Sequence, residues 1–68
     1  MEKKIYTVSV YSSEYEDVCI IKNYGGFAFN EPSLAAKYIM ENDELAYMQS
    51  ESDECVVKIE VLTIHEDI

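Results

Sequence analysis

Residues 5–11 alternate between apolar and polar side chains, with Tyr6, Val8 and Val10 on one face and Thr7 and Ser9 on the other. A period of two is that of a strand with one buried face. Residues 12–17 are polar and read as a turn. The run that follows, Val18, Cys19, Ile20 and Ile21, is apolar and rich in β-branched residues. It reads as a second strand, covered on both faces and paired with the first as an antiparallel hairpin. Gly25 and Gly26 mark a tight turn, because paired glycines admit positive φ. Residues 27–29 form either a short third strand or the approach to a helix.

The helix start carries several signals. Asn30 is a favoured cap residue, Pro32 suits a first turn, and the spacing of Phe29 to Leu34 matches a hydrophobic staple. Leu34, Ala35, Tyr38 and Ile39 recur on one helical face. Residues 41–44 are where this helix can end, with Asp43 capping a second short helix through Leu45, Tyr47 and Met48; one helix over residues 31–49 is the alternative. Residues 50–54 form an acidic loop. Residues 55–64 then alternate again, Val57, Ile59 and Val61 against Lys58 and Glu60. Residues 65–68 are expected to fray. The expected architecture is α+β: a small antiparallel sheet of order β-β-α-β, an extra short strand at 27–29, and one or two helices on one face. A right-handed crossover sets the last strand beside the first. Ile5, Tyr11, Leu62 and Ile64 then lie on or near an uncovered face, which with the open edges invites a second copy of the chain.

Length makes this core thin. A chain of 68 residues reads as one domain, 1–68, and buries only about 60% of the surface its unfolded form exposes. Such domains often lean on disulfides, a metal or self-association. Cys19 and Cys55 are the only cysteines and His65 the only histidine, so neither a disulfide scaffold nor a metal site is expected. Residues 1–4 lead straight into the alternating pattern rather than into an apolar signal core, and no stretch approaches the ~20 apolar residues of a membrane span. The expectation is a cytoplasmic chain with reduced thiols.

Charge is the strongest compositional feature. Fourteen Asp and Glu stand against five Lys, with no Arg, for a net charge of -9. That balance predicts repulsion from nucleic acid and anionic membranes, and attraction to basic protein surfaces. No catalytic set is expected. Cys19 and Cys55 sit among apolar neighbours, His65 is near the chain end, and a thiolate-imidazole pair needs supported geometry. The carboxylates suggest no cleft of the kind acid-base chemistry requires. Gly25 and Gly26 match no phosphate-binding pattern. No cofactor is expected.

The acidic clusters are the functional lead. Glu14, Glu16 and Asp17 lie in the first turn; Glu41, Asp43, Glu44, Glu51, Asp53 and Glu54 follow the helix without an intervening lysine. Carboxylates this dense repel one another, so stability does not account for them. A rigid acidic surface can occupy the phosphate sites of a nucleic-acid-binding protein. In size, acidity and single-domain build the chain resembles small inhibitors that phages and mobile elements direct against host nucleases, restriction systems and CRISPR complexes. That resemblance is compositional, and it implies a non-enzymatic inhibitor that mimics nucleic acid. The alternative is an interaction module that homodimerises or adds its sheet edge to a partner, with Tyr11, Tyr47, Leu62 and Ile64 as contacts and the acids serving solubility.

Overall fold

A computed structural model describes residues 2–65. The chain order is β1 (Glu2–Ser12), β2 (Cys19–Ile21), a 3-10 turn (Tyr24–Gly26), β3 (Ala28–Phe29), α1 (Pro32–Glu41), α2 (Asp43–Ser50) and β4 (Cys55–His65). The α+β fold has a four-stranded antiparallel sheet and two helices. The central strand is β1. One side of it pairs with β4 along its whole length, Glu2 opposite His65 and Ser12 opposite Cys55. The other side pairs with the short strands β2 and β3 in turn.

Alternation in β1 and β4 sets the two faces of the sheet. Tyr6, Val8 and Val10 pair with Val61, Ile59 and Val57 on the face that meets the helices. Val8, Val10, Ala35, Ile39, Leu45 and Val57 form the buried core, edged by Tyr6, Tyr24, Phe29, Tyr38, Met48 and Cys55. Burying Leu45 alone contributes roughly 2 kcal/mol. The opposite face carries Ile5, Thr7, Ser9 and Tyr11 against Leu62, Glu60, Lys58 and Val56. Ile5, Tyr11, Leu62 and Ile64 therefore share the face the alternation assigns them.

Several expectations are corrected. The run at residues 18–21 is not covered on both faces. Only Cys19–Ile21 is strand, it lies at the edge, and Ile20 is 52% exposed. A bulge opposite Val10 and Tyr11 inserts Ile20 as an extra residue, which turns it away from the core. Helix α1 is capped by Glu31 and not Asn30, without a side-chain hydrogen bond. Pro32 is the cause: the residue before proline is driven to extended backbone, so Glu31 (φ -139, ψ 143) cannot be helical. The staple spacing is lost with that shift, and Leu34 is exposed. Of the two alternatives for residues 31–49 the pair of helices forms, but the second is capped by Asn42, not Asp43. Asn42 is extended, and its side chain accepts a hydrogen bond from the Leu45 amide at 3.1 Å. His65 belongs to β4 instead of a frayed end, with Nδ1 3.7 Å from Glu2 Oε1; residues 66–68 lie outside the described residues.

The turn before β3 needs its glycines. Asn23, Gly25 and Gly26 all have positive φ, at 50, 74 and 72. A Cβ on Gly25 would stand 2.7 Å from the Tyr38 hydroxyl oxygen. Tyr38 is held there by Phe27 and Phe29, with ring centroids at 5.7 and 5.5 Å. The turn thus locks the β2–β3 edge against α1.

The helices are shorter than the sheet. The eleven residues of β1 and of β4 span about 36 Å, against about 15 and 12 Å for α1 and α2. The molecule is accordingly long, 44 × 25 × 16 Å. Beyond Tyr6, where β3 ends, only β1 and β4 continue, as a two-stranded arm. This is why Val61 is 52% exposed although it lies on the helix side. No helix among the described residues is long and apolar enough to cross a membrane.

Candidate functional site

The acids divide into two groups. The first is at the end of the sheet where β1 stops and β4 begins. Ser12 pairs with Cys55 there, and backbone bonds tie the two loops together. The Ser13 amide donates to Glu54 O at 3.0 Å, and the Ser13 hydroxyl donates to Asp53 O. The hairpin turn is closed by Ser12 N to Val18 O (3.0 Å) and Val18 N to Tyr15 O (2.9 Å). The Tyr15 amide donates to the Ser12 hydroxyl oxygen, and the Glu54 amide to that of Ser52. This stitching brings Glu14, Asp53 and Glu54 around one shallow cavity of about 330 Å3, shared with Ser12, Ser13 and Ile20. Glu16 and Asp17 occupy the same turn, and Glu51 closes α2 above the loop. All six carboxylates are exposed.

The second group sits at the junction of α1 and α2, and local structure accounts for it. Glu41 lies 3.8 Å from Lys37 one helical turn earlier. Asp43 and Glu44 fill the first turn of α2, where negative charge complements the helix dipole. Glu44 also accepts a hydrogen bond from the Tyr24 hydroxyl at 2.8 Å. That bond, with desolvation and the Glu44 charge, raises the Tyr24 pKa. Helix α2, about 12 Å long, separates this group from the first.

Lysines are placed away from the first group. Lys3 and Lys4 lie at the far end of β1 and Lys37 on α1, while Lys22 follows β2 and Lys58 is the fourth residue of β4. The hairpin end carries its carboxylates without an ion pair among the described residues, whereas the lysine-bearing groups are interleaved with acids.

The face opposite the helices holds a polar cluster that the alternation did not reveal, and around Thr7 and Ser9 this face is buried, against the expectation of an uncovered one. The Tyr11 hydroxyl donates to Glu60 Oε2 at 2.6 Å, and Lys58 Nζ lies 4.8 Å from the centre of the Tyr11 ring. The Tyr11 pKa is pushed up to about 12, first by that hydrogen bond, then by desolvation and the Glu60 charge. The neighbouring hydroxyls of Ser9 and Tyr11 hold the Glu60 carboxyl below its usual range. Ser9 is fully buried, and its hydroxyl oxygen accepts from the Asn23 amide at 3.1 Å. Glu60 Oε1 and Asn23 Oδ1 are shut from solvent without a hydrogen-bond partner. Tyr11, expected as a free contact residue, is thus engaged within the sheet. Of the other three contact candidates, Tyr47 is exposed on α2, and Leu62 and Ile64 are exposed on the arm. In sequence Lys58 and Glu60 are only the polar half of an alternation; their link to Tyr11 depends on a strand pairing 49 residues apart.

Cys55 and His65 stand at opposite ends of β4, and Cys19 pairs opposite Tyr11. No group of three or more His, Cys, Asp or Glu is positioned to hold a metal among the described residues. No family model matches the chain, and no curated protein or solved structure matches it significantly.

Proposed function

We propose that the protein is a non-enzymatic binding module that presents the hairpin end, Glu14, Glu16, Asp17, Glu51, Asp53 and Glu54, to the cationic groove of a nucleic-acid-binding protein. The observation that carries this reading is the tie between the two loops. Ser13 bonds to both Glu54 and Asp53, so acids from distant parts of the chain are held together on backbone of fixed shape. Their mutual repulsion is a cost to folding, and no lysine offsets it there. Carboxylates so arranged can replace phosphates in a groove lined by Lys and Arg, with charge steering the approach. Blocking a restriction or CRISPR-type effector is the role such a surface would serve. Relative to the reading from sequence, Glu41, Asp43 and Glu44 drop out, because α1 and α2 give them structural work.

The test uses immobilised protein and purified nucleic-acid-binding proteins with basic grooves, with and without competing duplex DNA. Binding is expected to weaken with salt, to be displaced by DNA, and to fall by about tenfold or more in E14Q/D53N/E54Q. The matched variant E41Q/D43N/E44Q should bind as the parent does. Full binding by the first variant, or equal loss in both, rejects the assignment.

A further inference from the structure

The free edge of β4 is the least protected feature of the fold. It is eleven residues long, has no proline, and pairs only with β1 among the described residues; Lys58 and Glu60 are its charges, but natural edge strands are usually short. Its helix side borders a shallow apolar groove of about 350 Å3, lined by Ala36, Ile39, Met40, Gln49, Val57 and Ile59. Met40 is 77% exposed there. The arm formed by the ends of β1 and β4 is only two strands wide, a width that is marginally stable in water. All three features lie along β4, and one more strand would relieve the first two and the near half of the third.

The sequence of β4 specifies which strand. Around Ile59 it is an inverted repeat in chemistry: Val57 and Val61 flank the centre at two places, Val56 and Leu62 at three, and Lys58 and Glu60, opposite in charge, at one. We propose that two copies of this chain pair antiparallel through β4, about a twofold axis at Ile59. Lys58 then faces Glu60 of the second copy, and Glu60 faces its Lys58. Val57 meets Val61 on the helix side, and Val56 meets Leu62 on the other. At the limits of the strand Cys55 meets Thr63.

Neighbouring registers lack this match. A step to Glu60 sets Glu60 against itself and Lys58 against Leu62; a step to Lys58 sets Lys58 against itself and Glu60 against Val56. Like charges directly opposite are destabilising, and opposite charges and β-branched pairs are favourable. A shift by an odd count would exchange the faces, since side chains alternate with a strict period of two. In the Ile59 register the two apolar grooves adjoin across the axis and bring the Met40 side chains together. Leu62 and Thr63, the first two β4 residues of each arm, gain a strand partner in Val56 and Cys55 of the second copy, and the sheets join into one. The partner is thus a second copy; past Cys55 the register brings Glu54 and Asp53 beside Ile64 and His65 of that copy, so the acidic end borders the contact without supplying its strand pairs.

Self-association is measured by sedimentation velocity over a concentration series, with circular dichroism to confirm folding. The parent is expected to dimerise and to remain dimeric in high salt, which separates this contact from binding by the acidic end. K58E should weaken the dimer by about tenfold or more, because two cross-strand pairs turn repulsive. K58E/E60K restores opposite charges across the axis and should recover it. Independently, I59C in a C19S/C55S background should form an intermolecular disulfide on mild oxidation, since residues directly opposite in antiparallel strands have Cα atoms within disulfide reach. A parent that stays monomeric at high concentration overturns the proposal. So does a dimer that is indifferent to K58E, or one that I59C fails to cross-link.

Discussion

At the scale of single residues, the Tyr11–Glu60 pair makes stability depend on pH from both sides. The 2.6 Å bond from the Tyr11 hydroxyl needs a protonated phenol and favours an ionised carboxylate. Tyr11 is raised from 10.0 to about 12, so its contribution is whole below the unfolded value and is lost as pH climbs through the folded one. Glu60 is lowered from 4.5, chiefly by Ser9 and then Tyr11. Its contribution is whole above that value and is lost as pH falls through the depressed one. Removing the hydroxyl in Y11F should therefore act at both limits. Urea midpoints measured across pH should show less alkaline loss between roughly 10 and 12, and also less loss on acidification, because one of the two hydroxyls that hold Glu60 down is gone. Tyr24, raised by Glu44, leaves a residual alkaline slope that Y24F removes. A Y11F profile parallel to that of the parent would mean that the pair does not couple to folding.

At the scale of elements, alternation in β1 and β4 was legible in the sequence because apolar side chains fill the face toward the helices and polar ones dominate the other; that Thr7 and Ser9 are buried as well was not legible. The helical stretch was legible too, but neither its division into two helices nor its caps were. Asn30 has the right chemistry, yet Pro32 two places on forces Glu31 into extended backbone and moves the start. Asp43 was the cap the sequence suggested, and the bond that Asn42 accepts from the Leu45 amide identifies Asn42 instead. The pairing of Ser13 with Asp53 and Glu54 could not be read at all, since it depends on the long-range register that closes Ser12 on Cys55. These assignments can be separated by substitution. N42A should cost about 1 kcal/mol, lowering the thermal midpoint by several degrees. N30A should change stability by only a few tenths of a kcal/mol, because Asn30 makes no cap bond. Equal losses in the two variants would return the α1 cap to Asn30.

At the scale of the whole molecule, a thin core works against a large surplus of negative charge. Six side chains form the buried apolar cluster among the described residues, and the net charge is -9. Charge far from zero opposes compaction, and the opposition is strongest where Glu14, Asp53 and Glu54 crowd one cavity. If those carboxylates were retained for stability, neutralising them would weaken the fold. Repulsion predicts the reverse. E14Q/D53N/E54Q should be more stable than the parent by about 0.5–1 kcal/mol, a rise of several degrees in thermal midpoint. Salt supplies the internal control, since screening relieves the same repulsion. Adding salt should raise the midpoint of the parent and raise that of the triple variant less. Both melts belong at one protein concentration, because any self-association through β4 adds stability by mass action. A triple variant that melts below the parent at low salt would show that these acids hold the loops together, and a surface retained for folding would need no partner to explain it.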